Sequence, residues 1–195
     1  MNKRLKNKGF TLIELLVVVA IIAILSTIVI VSINAARAKG KDGAAVSQMN
    51  QARNQAEIYH TKTGSYNGLC DPTTPISEEP GIYEYVLAAA EAIGFDPAEQ
   101  YVKTEKIDDS LSYVNLSSYQ QPGVYYARCH VSAKPFLSPR WAAQVPLLKK
   151  KGDQQQFYCV DSTGEGVVTT HDLGNTQDTE IAEKKHLECI PPTEE

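Results

Sequence analysis

The chain has 195 residues, 19 Lys+Arg against 23 Asp+Glu, and a formal net charge of −4. That length allows one globular domain of ordinary size with an extra element attached. The charge balance argues against a general nucleic-acid binder, and 12 Gly with 10 Pro are too few for a collagen-like or low-complexity chain. The apolar content is unevenly spread, and much of it falls before residue 34.

Residues 1–9 read MNKRLKNKG, with Lys3, Arg4, Lys6 and Lys8 and no acid. From Phe10 to Ile33 follow 24 residues with a single charge, Glu14. As a helix this run spans roughly 36 Å, enough to cross a bilayer core. The basic flank predicts that the N-terminal end stays cytoplasmic and that the rest of the chain is exported.

Three readings of this segment compete. A secretory signal peptide could be cut after Ala36-Arg37-Ala38, but the apolar run exceeds the usual h-region of about 7–15 residues. A plain signal anchor accounts for length and flank and leaves Glu14 unexplained. An ionisable residue inside an apolar span is costly, and it needs a partner. Cleavage between Gly9 and Phe10 would supply one. The new α-amine of Phe10 is a cation, and Glu14 lies one helical turn further on. In a bundle of such helices, Glu14 of one subunit would meet the amine of Phe10 on the next. Only one axial stagger pairs the two charges, so the pairing also sets register.

The stretch Lys8-Gly9-Phe10-Thr11-Leu12-Ile13-Glu14, running into an unbroken apolar segment, resembles the class III leader of type IV pilins and pseudopilins. The resemblance covers about residues 3 to 33. It implies a membrane peptidase that cuts after Gly9 and methylates Phe10, and it makes Glu14 the assembly residue. It further implies a subunit that polymerises with its own kind through assembly machinery of the inner membrane. The chain would sit there as a single-pass protein with its head outside the cytoplasm, then enter an extracellular or periplasmic filament. The helix-breaking proline frequent in the family is missing here, since no proline occurs before Pro72.

Beyond Ile33 the pattern turns amphipathic. Val46, Met49, Ala52, Ala56 and Tyr59 recur at spacings of three or four, which predicts the lower part of one long helix over 34–64. Gly40 and Gly43 predict a kink or joint, and Gly64 a stop. Residues 65–82 hold turn formers and read as an irregular loop. Tyr83 to Ile93, followed by Gly94, predicts a second helix. Asp96 to Asp109 reads as a polar connector. Strand-like runs follow at Leu111–Leu116, Val124–Val131, Trp141–Leu148, Gln156–Asp161 and Val167–His171. Turns separate them, one of them at Lys149–Asp153, which indicates an antiparallel sheet. The predicted fold class is therefore α+β. A long helix, half transmembrane and half amphipathic, packs on a small sheet in a head over 65–195. Asp172 to Glu195 carries seven acids and reads as a surface-lying acidic tail.

Cys70, Cys129, Cys159 and Cys189 all fall on the exported side, where disulfides persist. No CxxC pair occurs and the gaps are 59, 30 and 30 residues, so two disulfides are favoured over a zinc site. Three connectivities are open to four cysteines. Pilin-family resemblance favours Cys159 with Cys189, which leaves Cys70 with Cys129.

His60, His130, His171 and His186 show no metal-binding or catalytic spacing. No GxSxG, Walker or GxGxxG pattern occurs, and the sequence indicates no enzyme, cofactor or metal centre. Asp161 to Gly166 is oxygen-rich, as a calcium loop would be, yet it lacks the alternating acids of an EF-hand and reads more simply as a turn. Lys149-Lys150-Lys151 could touch DNA phosphates. However, loss of the leader's four cations takes the net charge from −4 to −8, and a solvated hairpin tip is the simpler reading. The readings carried forward are a type IV pilus-like subunit, a pseudopilin of a type II secretion system, and a membrane-anchored protein whose head binds a ligand.

Overall fold

A computed structural model describes residues 10–71, 79–95, 101–108, 111–117, 127–132, 140–164, 166–170, 172–173 and 189. The chain forms two compact units, residues 1–37 and 38–195. Helix α1, Leu12–Thr63, contributes to both. In the first unit it is the apolar segment. Its described side chains are exposed, from Leu12 at 81% to Ile33 at 43%. Such a continuous apolar surface requires lipid or other helices around it. The helix is long and apolar enough to cross a membrane.

In the second unit α1 buries a stripe of Ala45, Met49, Ala52, Ala56 and Tyr59. Their spacing of three and four keeps them on one face. Three alanines let the helix axis approach its neighbours, while Met49 and Tyr59 fill the remaining space. Val46, predicted for this stripe, is only half-buried, and Ala45 takes the core position.

Gly40 and Gly43, where a kink or joint is expected, lie within α1, which is helical through both. Each glycine costs about 1 kcal/mol in a helix. Buried Ala45 and Met49 offset part of this, as does Asp42. Its Oδ1 accepts the Leu148 N–H at 2.7 Å and its Oδ2 the Lys149 N–H at 3.0 Å. The helix stops where expected. Gly64 has φ 74°, and its N–H bonds the His60 carbonyl at 2.8 Å.

Helix α2, Tyr83–Ile93, buries Val86, Ala89, Ala90 and Ile93 against the sheet. Gly94, at φ 110°, ends it with N–H bonds back to the last turn.

The sheet contains β1 Tyr101–Asp108, β2 Leu111–Ser117, β3 Ala127–Ser132, β4 Trp141–Lys151, β5 Gln154–Asp161 and β6 Gly166–Thr169. All neighbours are antiparallel and the order follows the chain, so β1 and β6 are the edges. Two expectations are corrected. The polar connector contains β1, in register with β2 from Tyr101↔Ser117 to Asp108↔Leu111. Lys149–Lys151 belong to β4, and the turn is confined to Gly152 and Asp153. Helix α1 holds β5 and the turn after it through two polar contacts. Tyr158 Oη donates to Asn50 Oδ1 at 3.0 Å, and Arg53 Nη1 donates to the Gly164 carbonyl at 2.8 Å.

Near the end of α1, Tyr66 stacks on His60 with ring centroids 4.5 Å apart and lies tilted beside Trp141. Its hydroxyl donates to Glu57 Oε1 at 3.0 Å. Burial first, and then this bond and the Glu57 charge, push the Tyr66 phenol up to about 12. The loop after α1 returns so closely that the Ile82 N–H bonds the Leu69 carbonyl at 2.8 Å. A side chain on Gly81 would overlap that same carbonyl. Gly81→Ala is therefore expected to destabilise the head by about 1–3 kcal/mol. Chemical denaturation of the detergent-solubilised chain checks this, and an unchanged midpoint would refute the tight approach.

Candidate functional site

The N-terminal segment holds the residues on which processing and assembly would depend. Gly9 and the rest of residues 1–9 lie outside the described residues. Phe10 opens the described chain and is 78% exposed. Glu14 lies in the first turn of α1. Its carboxylate has a partner within its own chain, which the sequence reading missed. Oε2 accepts the Thr11 N–H at 2.8 Å and the Thr11 hydroxyl, also at 2.8 Å. Thr11 Oγ1 in turn accepts the Glu14 N–H at 3.3 Å. The two residues satisfy each other's free backbone donors at a helix start, which is a capping box. Its signal was legible, since Thr11-Leu12-Ile13-Glu14 has the T-x-x-E spacing just before an apolar run. In a lone chain Glu14 thus closes the helix end. The other face of the carboxylate is exposed to whatever surrounds the helix.

The cysteines lie in the second unit. Cys70 pairs with Cys129 and Cys159 with Cys189, the pairing that the resemblance favours. The first bridge ties the loop after α1 to β3, and the second ties β5 to the C-terminal segment. Much of that segment lies outside the described residues, but the surface-lying tail is corrected at the points described. Leu173 and Cys189 are buried with Ala142 and Cys159 in a small apolar cluster.

Two buried polar residues hold these points: Gln144, which was not singled out from sequence, and Asp161, which was considered only as part of a loop. Gln144 accepts the Leu173 N–H at 3.0 Å and donates to Asp172, which also pairs with Arg128 at 3.3 Å. Asp161 Oδ2 accepts the Cys189 N–H at 2.6 Å. Asp161 Oδ1 accepts the Thr163 N–H at 2.8 Å and its hydroxyl at 2.6 Å. The Asp161 carboxylate, considered for calcium, thus bonds both its own turn and the C-terminal segment.

Among the described residues no three His, Cys, Asp or Glu converge in a metal-holding group. His60 stacks on Tyr66, His130 is buried in β3, and His171 and His186 lie outside the described residues.

The prokaryotic N-terminal methylation motif matches residues 4–30. A segment of 59 residues is 46% identical to the type IV wide pilus major component PilA4 of Thermus thermophilus. It covers 30% of this chain and 45% of that relative, so the chain matches less than half of the relative's length. No solved structure gives a significant match. The leader pattern, the methylation-motif match and the apolar helix agree, and they make the N-terminal segment similar to that of type IV pilins.

Proposed function

We propose that this chain is the precursor of a structural subunit in a type IV pilus-like filament. The observation that carries this reading is the methylation motif over residues 4–30, supported by the 59-residue similarity to a pilus major component. A prepilin peptidase removes residues 1–9 after Gly9 and methylates Phe10. Residues 10–33 then hold the subunit in the inner membrane, with the head of residues 65–195 outside the cytoplasm. Assembly machinery transfers the helix from lipid into a bundle of like helices. Both environments suit the exposed apolar side chains of α1, so the transfer exchanges one apolar contact for another. Glu14 sets the stagger by meeting the Phe10 amine of the neighbouring subunit. The proposed role is structural, with self-association as the principal partnership.

A pseudopilin of a type II secretion system would use the same segment in a periplasmic fibre. Fibres sheared from the cell surface, with mass spectrometry of their subunits, separate the two. Surface fibres containing this chain support the pilus, whereas its confinement to the periplasm supports the pseudopilus. Processing gives an independent prediction. The N-terminal peptide of the membrane-fraction protein is expected to begin at N-methylated Phe10, and the intact mass to lack residues 1–9. A mature chain beginning at Lys39 would mean signal-peptidase cleavage and would sink the pilin reading.

A further inference from the structure

We propose that the β4–β5 hairpin tip docks on the anionic lipid headgroups of the leaflet from which the head emerges. This rests on the membrane-anchored reading above. Strand β4 ends in Leu148, Lys149, Lys150 and Lys151, all exposed, and the turn at Gly152 and Asp153 returns the chain to exposed Gln154. Three successive lysines stand there against two carboxylates, that of Asp153 in the turn and that of Asp42, which accepts the Leu148 and Lys149 N–H groups. The chain without its leader carries about −8, so this local excess runs against the overall charge.

Asp42 fixes where the tip lies. The β4–β5 register shifts between Pro146 and Lys150. Within this irregularity the Leu148 and Lys149 N–H groups turn to the two oxygens of Asp42. Asp42 follows Ile33, the last residue of the apolar run, by nine residues along the chain. Exposed Lys39 lies on the same stretch. Lys41 is placed differently, with its ammonium beside Gly94 at the C-terminal end of α2. The lysine triad is therefore tethered to the part of the head that follows the membrane segment along the chain.

Leu148 separates a lipid surface from a nucleic acid as the partner. It is 43% exposed and adjoins the lysines. Headgroup phosphates accept the ammonium groups, and the acyl boundary accepts a leucine. A nucleic-acid backbone offers phosphates to the lysines but nothing to that leucine.

The test uses the full chain in phosphatidylcholine nanodiscs, with or without about 30% phosphatidylglycerol. Exposed lysines are briefly acetylated and mapped by mass spectrometry. Labelling of Lys149, Lys150 and Lys151 is expected to fall about threefold or more on the anionic discs, and high salt should restore it. Lys62, paired with Glu79 towards the other end of α1, should label equally on both discs. Equal labelling of the triad on the two discs overturns the proposal. Protection by an added DNA duplex but not by phosphatidylglycerol also overturns it and makes the tip a nucleic-acid site. Failure of the chain to insert into either disc defeats the anchored reading, and this proposal with it.

Discussion

Cys159→Ser is expected to lower the melting temperature of the head by roughly 10 °C, with a matching fall in accumulation in cells. The bridge to Cys189 closes a separation of 30 residues. In the chain-entropy model such a closure contributes about 3–4 kcal/mol, a large part of a marginal stability. The bridge also sits where other contacts depend on it. Ala142, Cys159, Leu173 and Cys189 form one buried cluster, and Asp161 holds the Cys189 backbone. Once the bridge is gone, the C-terminal segment keeps the contacts of Gln144, Asp161 and Arg128 and the packing of Leu173. Cys189→Ser should therefore match Cys159→Ser. The double variant should be little worse than either, because one bond is lost in all three. Thermal melts of the purified chains check this. Summed losses in the double variant would show that each cysteine acts separately, and four free thiols in the exported protein would defeat the disulfide reading.

Glu14→Ala is expected to abolish or severely reduce fibres while leaving membrane insertion intact or improved. Removing a carboxylate from an apolar span favours insertion. The same change leaves the neighbour's Phe10 amine without its partner in an apolar bundle, where an unpaired charge is costly. The capping box adds a second role, so a second variant is needed. Glu14→Gln retains an oxygen that can accept the Thr11 N–H and loses only the charge. If register depends on the ion pair, Gln fails as Ala does. If the cap alone matters, Gln assembles normally. The readouts are sheared-fibre yield and the amount of chain in the membrane fraction. Normal fibre yield from both variants would eliminate any assembly role for Glu14.

The sequence by itself determined the N-terminal segment and most of the local structure of the head. Leader charge, apolar length and the Phe10-to-Glu14 spacing are local patterns, and the physics they report acts between near neighbours. The same holds for α2, with Gly94 behind it, and for the stop at Gly64, where a left-handed backbone favours glycine. Tertiary structure decided what depends on distant partners. Strand β1 mixes Lys103, Glu105 and Lys106 with few apolar residues, so only its pairing with β2 makes it a strand. Helix continuity at Gly40 and Gly43 was invisible because intrinsic propensity argues against it. The stabilising contacts come from Leu148 and Lys149, over a hundred residues further along the chain. Residue spacing did not choose the cysteine pairing, since loop-closure entropy varies only slowly with loop length. Buried Gln144 read as an ordinary polar strand residue and Asp161 as the start of an oxygen-rich turn until the fold brought the C-terminal segment to them. A buried polar side chain is stabilising only with its partners in place, and composition does not reveal those partners.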